Sequence, residues 1–128
     1  MLKVGLTVSL GITVSMAFSG ALLAKKPPLP TDLPPVAFAT LPAQVQATHR
    51  LILSAGPFPY DKDGTIFGNR ERLLPIKGRG FYREYTVKTP GAKNRGARRI
   101  VCGGVPANRP ENCFYTSDHY ASFSRIVQ

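Results

Sequence analysis

The sequence predicts an α+β domain: one N-terminal α-helix packed on a short-stranded antiparallel β-sheet. Two observations carry this. Ala43 to Leu53 spaces Val45, Thr48 and Ile52 at helical intervals. Beyond Gly64 the chain breaks into short aromatic and β-branched stretches, separated by turn signals at Thr89-Pro90-Gly91, Gly103-Gly104 and Ser117-Asp118.

The elements follow in order. Met1-Leu2-Lys3 is a short positive head, and Val4 to Ala24 carries no charge. Ser19-Gly20-Ala21 supplies the small residues of a cleavage site, so residues 1–24 read as a secretory signal peptide cleaved near 21–24. That destination is extracellular or periplasmic. The alternative is a retained membrane anchor, because about 20 apolar residues span a bilayer. Residues 25–40 hold Pro27, Pro28, Pro30, Pro34 and Pro35 and read as an extended linker, or as a Pro-rich ligand for an aromatic groove. The folded domain is expected over residues 41–128. Leu41-Pro42 opens the helix and Ser54-Ala55-Gly56-Pro57 closes it. Strands are expected over Phe81–Lys88, Ala97–Cys102, Cys113–Thr116 and Tyr120–Val127, and no internal repeat is evident.

Composition narrows the function. The chain has 128 residues, 17 Lys and Arg against 7 Asp and Glu, and a net charge of +10. Such an excess favours a polyanionic partner: nucleic acid, acidic membrane or anionic polysaccharide. Two cysteines exclude a multi-bridge scaffold and a four-cysteine zinc site.

A few residues can carry chemistry. In the strand Phe81–Lys88, alternation puts Glu84 on one face with Tyr82 and Thr86, opposite Arg83, Tyr85 and Val87. It is either a solvated charge paired with an arginine or a working carboxylate. Arg98 and Arg99 must point to opposite faces of the next strand, so only one can share a face with Glu84. Together with Arg95 they suit phosphate, or form a solvated basic face. His119 follows Asp118 near a strand start, and imidazole is suited to proton transfer near neutral pH.

Several stretches, taken in order, resemble the microbial guanyl-specific ribonucleases, the barnase-related secreted endoribonucleases. They are Ser54-Ala55-Gly56-Pro57-Phe58-Pro59-Tyr60, Asp63-Gly64, Phe67-Gly68-Asn69-Arg70-Glu71 and Leu74-Pro75. They continue with Tyr82-Arg83-Glu84-Tyr85-Thr86-Val87, Thr89-Pro90-Gly91, Arg95-Gly96-Ala97-Arg98-Arg99-Ile100 and Asp118-His119-Tyr120-Ala121-Ser122-Phe123. The likeness runs from Leu41 to Val127 and implies the microbial ribonuclease fold. It also implies cleavage of single-stranded RNA 3′ of guanosine, through a 2′,3′-cyclic phosphate to a 3′-phosphate. The chain would act as a monomer without metal or other cofactor, with an acidic barstar-like protein as inhibitor.

The resemblance also distributes roles. Glu84 is implied as general base on the 2′-hydroxyl and His119 as general acid on the departing 5′-oxygen. Arg95 and Arg99 would stabilise the phosphorane, and Tyr120 would bond the phosphate or pack in the core. Guanine would be read by Glu71, which can accept from N1–H and N2–H, and by amides of Gly68, Asn69 and Arg70 toward O6, with Phe67 stacking on the base. His49 matches no catalytic position, and Arg98 is expected to be solvated. The chemistry agrees with such a set: an attached nucleophile needs a base, an acid and positive charge, and no metal. Cys102 and Cys113 flank Gly103–Asn112, a segment longer than in the shorter relatives and able to border the cleft. In a secreted protein the two either pair or stay as buried thiols.

Two other readings share the composition: a basic RNA-binding or membrane-surface module without chemistry, and the same nuclease delivered as an antibacterial toxin.

Overall fold

The computed structural model describes residues 33–128 without a break, and only isolated positions among the first 15. Most of the segment expected to be a signal peptide and most of the Pro-rich segment lie outside the described residues. Among the described residues, no helix is long and apolar enough to cross a membrane.

The elements are β1 (Pro35–Ala37), a 3₁₀ turn (Phe38–Thr40), α1 (Ala43–Leu53), β2 (Thr65–Ile66), β3 (Tyr82–Thr86), β4 (Arg99–Gly103), β5 (Asn112–Thr116) and β6 (Ser124–Val127). One six-stranded sheet runs in the order β1-β6-β5-β4-β3-β2. Every pairing is antiparallel except β1 with β6.

The helix forms where its apolar spacing predicts it. Val45, Thr48, His49 and Ile52 are its buried residues, a stripe at i, i+3, i+4 and i+7. It ends in a Schellman turn: Ala55 N–H reaches Ile52 O at 3.2 Å, Gly56 N–H reaches Leu51 O at 2.8 Å, and Ala55 is left-handed at φ 61°. Its stripe packs with Tyr85, Val87, Ile100 and the two cysteines on one face of the sheet. The Thr48 hydroxyl ties the helix to β3 by donating to Thr86 O at 3.1 Å. His49 is a packing residue, buried with its ring 5.0 Å from that of Phe38. Burial, and then the neighbouring Arg50 charge, lower its pKa.

The opposite face of the sheet has its own core: Leu74, Tyr82, Val101, Phe114 and Phe123. This face, away from the helix, carries Glu84. The register sets Glu84 opposite Val101, and Arg99 opposite Thr86 and Thr116. Alternation therefore sends Arg99 to the Glu84 face and Arg98 away from it. Cys102 and Cys113, directly opposed on β4 and β5, are disulfide-bonded. Beside them, Gly103 allows close approach: a Cβ there would stand 2.3 Å from the Phe81 ring and 2.7 Å from that of Tyr82.

The structure corrects three expectations. The folded unit starts before residue 41, because Pro35–Ala37 joins the sheet as an edge strand beside β6. A proline run excludes a central strand, but an edge strand needs donors on one side only. The last strand begins at Ser124, not Tyr120. Residues 118–123 form a turn instead, with His119 at φ 55° and Tyr120 at φ 72°. The segment after Gly103 lies away from the site described below. Gly104 to Asn108 line a separate cavity with Ile52, Phe58 and Tyr85 on the helix side.

Candidate active site

Glu84 occupies the middle of β3, half-buried on the open face of the sheet. Both of its oxygens are engaged. Arg95 Nη2 lies 3.1 Å from Oε1, and the Tyr120 hydroxyl donates to Oε2. Arg95 arrives from the β3–β4 loop and is held by β3 itself: its Nε and Nη2 donate to Thr86 Oγ1 at 3.0 and 2.8 Å. Thr86 sits two residues from Glu84, so the alternation that exposes the carboxylate also presents the anchor for its partner.

Arg99 lies deeper, only 2% exposed. Its Nη1 donates to Arg98 O at 2.7 Å, while Nε is buried without a partner among the described residues. A buried, incompletely bonded guanidinium on this face is a ready contact for an anion. The ion pair to Glu84 is made by Arg95, whereas Arg99 lies beside Tyr120, where its charge favours the phenolate.

The turn after β5 delivers His119 and Tyr120. His119 N–H donates to Ala97 O at 3.0 Å and Tyr120 N–H to Thr116 Oγ1 at 3.1 Å. Asp118 ties the turn across its base, accepting from the Thr116 hydroxyl at 2.8 Å and from Ser122 N–H and Oγ at 2.9 and 2.6 Å. Those hydrogen bonds hold its carboxyl below the usual carboxylate range. The His119 ring is exposed and 4.8 Å from the Tyr120 ring. Tyr120 thus touches both His119 and Glu84. Burial first, and then the bond to Glu84, push its phenol up to about 12, so it stays a neutral donor at physiological pH.

The loop after β2 completes the site. Phe67 N–H donates to Tyr82 O at 2.9 Å, which fixes the start of the loop. Asn69, left-handed at φ 50°, closes it: its side chain donates to Leu74 O at 2.9 Å and accepts from Leu74 N–H at 3.1 Å. Leu74 is fully buried, so the loop is anchored in the core. The main-chain N–H groups of Gly68, Asn69, Arg70 and Glu71 have no acceptor among the described residues. The Phe67 ring lies 5.0 Å from Tyr120. Glu71 is exposed and makes no ion pair among the described residues.

A cleft of about 800 Å³ joins the loop to the turn, with Phe67 to Glu71 on one wall and His119 and Tyr120 on the other. Glu84, Arg95 and Arg99 do not line it and reach it through Tyr120. The arrangement offers a carboxylate, an imidazole, two guanidiniums and a loop of free amides ending in a second carboxylate. Two supports are absent from the sequence reading: Thr86, which holds Arg95, and Asp118, which holds the turn. Asp118 had a readable signal, since Asp flanked by Thr116 and Ser122 is a side-chain-bonded turn pattern.

Known proteins share this pattern. Residues 31–127 match the family described as ribonuclease. Guanyl-specific ribonuclease Sa of Kitasatospora aureofaciens is 50% identical over 93 residues, covering 73% of this chain and 93% of that protein. Guanyl-specific ribonuclease St of Saccharopolyspora erythraea is 50% identical over 92 residues, covering 72% and 86%. Guanyl-specific ribonuclease Sa3 of Kitasatospora aureofaciens is 50% identical over 91 residues, covering 71% of this chain and 62% of that longer protein. Ribonuclease Sa2, solved in complexes with mononucleotides, superposes with a TM-score of 0.70 at 46% identity, covering 75% of this chain and 95% of that one. A further structure of Sa2, with guanosine-2′-cyclophosphate, gives a TM-score of 0.67 at the same 46% identity. The chain belongs to the microbial guanyl-specific ribonuclease family.

Proposed function

We propose that this protein is a secreted endoribonuclease that cleaves single-stranded RNA on the 3′ side of guanosine. One observation carries the reading: a single cleft joins the loop Phe67–Glu71 to His119 and Tyr120, and Tyr120 is hydrogen-bonded to Glu84.

The chemistry runs in two steps. Glu84 takes the proton of the guanosine 2′-hydroxyl, whose oxygen attacks the adjacent phosphorus. His119 gives a proton to the leaving 5′-oxygen, and the 2′,3′-cyclic phosphate forms. In the second step His119 activates water, Glu84 returns a proton to the 2′-oxygen, and a 3′-phosphate results. Arg95 and Arg99 stabilise the charge that builds on the phosphorane oxygens. The unpartnered Nε of Arg99 supports this role. Tyr120, neutral at working pH, holds Glu84 in the free enzyme, and with substrate bound its single hydroxyl proton turns to a phosphate oxygen.

Guanine enters the cleft against Phe67. Glu71 accepts from N1–H and N2–H, and the free amides of Gly68, Asn69 and Arg70 serve O6. Adenine lacks the N1–H and presents a donor where O6 would be. Once the bound base covers them, each polar group left unpaired costs about 1–3 kcal/mol, so guanine is favoured over adenine. Secretion is supported by the apolar leader of residues 1–24 and by the Cys102–Cys113 disulfide. The basic surface would suit an acidic protein inhibitor covering the cleft.

Phosphorus NMR of GpC cleavage in EDTA tests the reading. A cyclic phosphate should appear first and then decay to 3′-GMP. A 5′-phosphate product, or cleavage abolished by EDTA, would contradict it.

A further inference from the structure

The loop Phe67–Glu71 has two sides. One faces the cleft that holds His119. The other forms a wall of a second groove, of about 560 Å³, whose opposite wall is Lys77 to Gly80. The cations Arg70, Lys77 and Arg79 line this groove together with Phe67 and Tyr82, and no acidic residue lines it. Lys77 and Arg79 are both exposed, and Lys77 Nζ stands 5.4 Å from the Phe81 ring centroid. The N–H groups of Lys77 through Gly80 donate to no carbonyl among the described residues. At Gly78 nothing lies within 4 Å of where a Cβ would be, so the backbone is open to approach. A concave site with cations and free amides but no carboxylate selects an anion.

We propose that this groove binds the phosphate on the 5′ side of the guanosine held by the loop. The inference rests on the functional reading above and extends it. The cluster of Glu84, Arg95, Arg99 and His119 takes the 3′-phosphate, so the strand in the 5′ direction leaves the guanosine away from His119. The groove lies there, across the shared wall of Phe67 to Arg70. Lys77 and Arg79 therefore recognise a chain longer than the dinucleotide, and they have no part in the bond cleavage. An anionic membrane would also attract these cations, aided by exposed Ile66 and Ile76. The concave shape and the wall shared with the base-reading loop favour an RNA strand.

The test compares GpC with UpGpC, which adds one phosphate on the 5′ side, for the wild type and for the Lys77→Gln, Arg79→Gln double variant. In the wild type, kcat/KM should rise by about 3- to 10-fold on UpGpC through KM. The double variant should lose that gain and keep the wild-type value on GpC. A 2′-deoxyguanosine form of the trinucleotide cannot be cleaved and gives the same comparison as Kd, so the result does not depend on turnover. Equal gains in both proteins, or no gain in the wild type, would overturn the proposal. Loss of sedimentation with phosphatidylglycerol vesicles in the variant, with UpGpC unaffected, would overturn it in favour of a membrane surface. Failure to cleave GpC at all would instead strike the functional reading, leaving the Kd comparison to decide the groove.

Discussion

Glu84 is ordinary as a residue and unusual in its place: a carboxylate at the centre of a strand, with both oxygens bonded. Arg95 and Tyr120 fix its position. Replacing Glu84 by Gln should lower kcat/KM on GpC by about 10²- to 10⁴-fold while preserving the fold. His119→Gln should cost a similar factor. In the wild type, kcat/KM should be bell-shaped in pH, with one carboxylate limb and one imidazole limb, and Glu84→Gln should flatten the carboxylate limb. A wild-type profile flat through the imidazole range would remove His119 from the role of acid. Glu71 plays a separate part. Glu71→Gln should reduce activity on GpC by about 10- to 100-fold, as charge-assisted bonds are lost, and leave ApC nearly unchanged. An equal loss on both substrates would count against base reading by Glu71.

The elements place these residues, and they differ in how readable they were. The helix was legible because its buried stripe is written at intervals of three and four residues. That only one of Arg98 and Arg99 could face Glu84 was legible because strands alternate, and the family resemblance pointed to Arg99. The bond from Tyr120 to Glu84 was not, since it spans 36 residues and depends on a turn with two successive left-handed residues. The same turn put the start of β6 four residues later than the sequence suggests, and prolines hid β1 as a linker. Stability divides along the same elements. The disulfide joins positions 11 apart, and replacing both cysteines by Ala should cost about 2–3 kcal/mol in denaturant unfolding. His49 on α1 has a lowered pKa, so the unfolded chain binds its proton more readily. Its contribution to stability is full above the unfolded value of 6.5 and declines as pH falls below it. Urea unfolding of His49→Leu should show a weaker decline between pH 7 and 5 than the wild type. An unchanged decline would place the acid sensitivity elsewhere. Asp118 adds the same sign at lower pH, where protonation releases the turn that carries His119.

At the scale of the whole molecule, charge and fold are matched to a polyanion. The sheet presents its helix-free face, two arginines included, while a net charge of +10 draws RNA toward it. Activity on long RNA should therefore fall steeply with salt, by a slope of about 0.7 in log–log terms for each phosphate contacted, and the dinucleotide should respond less. That dependence is shared with a simple RNA-binding protein. We propose that one cleft couples guanine reading to acid–base cleavage. The most direct test measures kcat/KM on GpC and ApC in EDTA for the wild type, Glu71→Gln and Glu84→Gln. The wild type should cleave GpC rapidly and ApC almost not at all. Glu71→Gln should show a collapsed preference, and Glu84→Gln should lose cleavage. Equal cleavage of GpC and ApC by the wild type, or full activity in Glu84→Gln, would contradict this coupling.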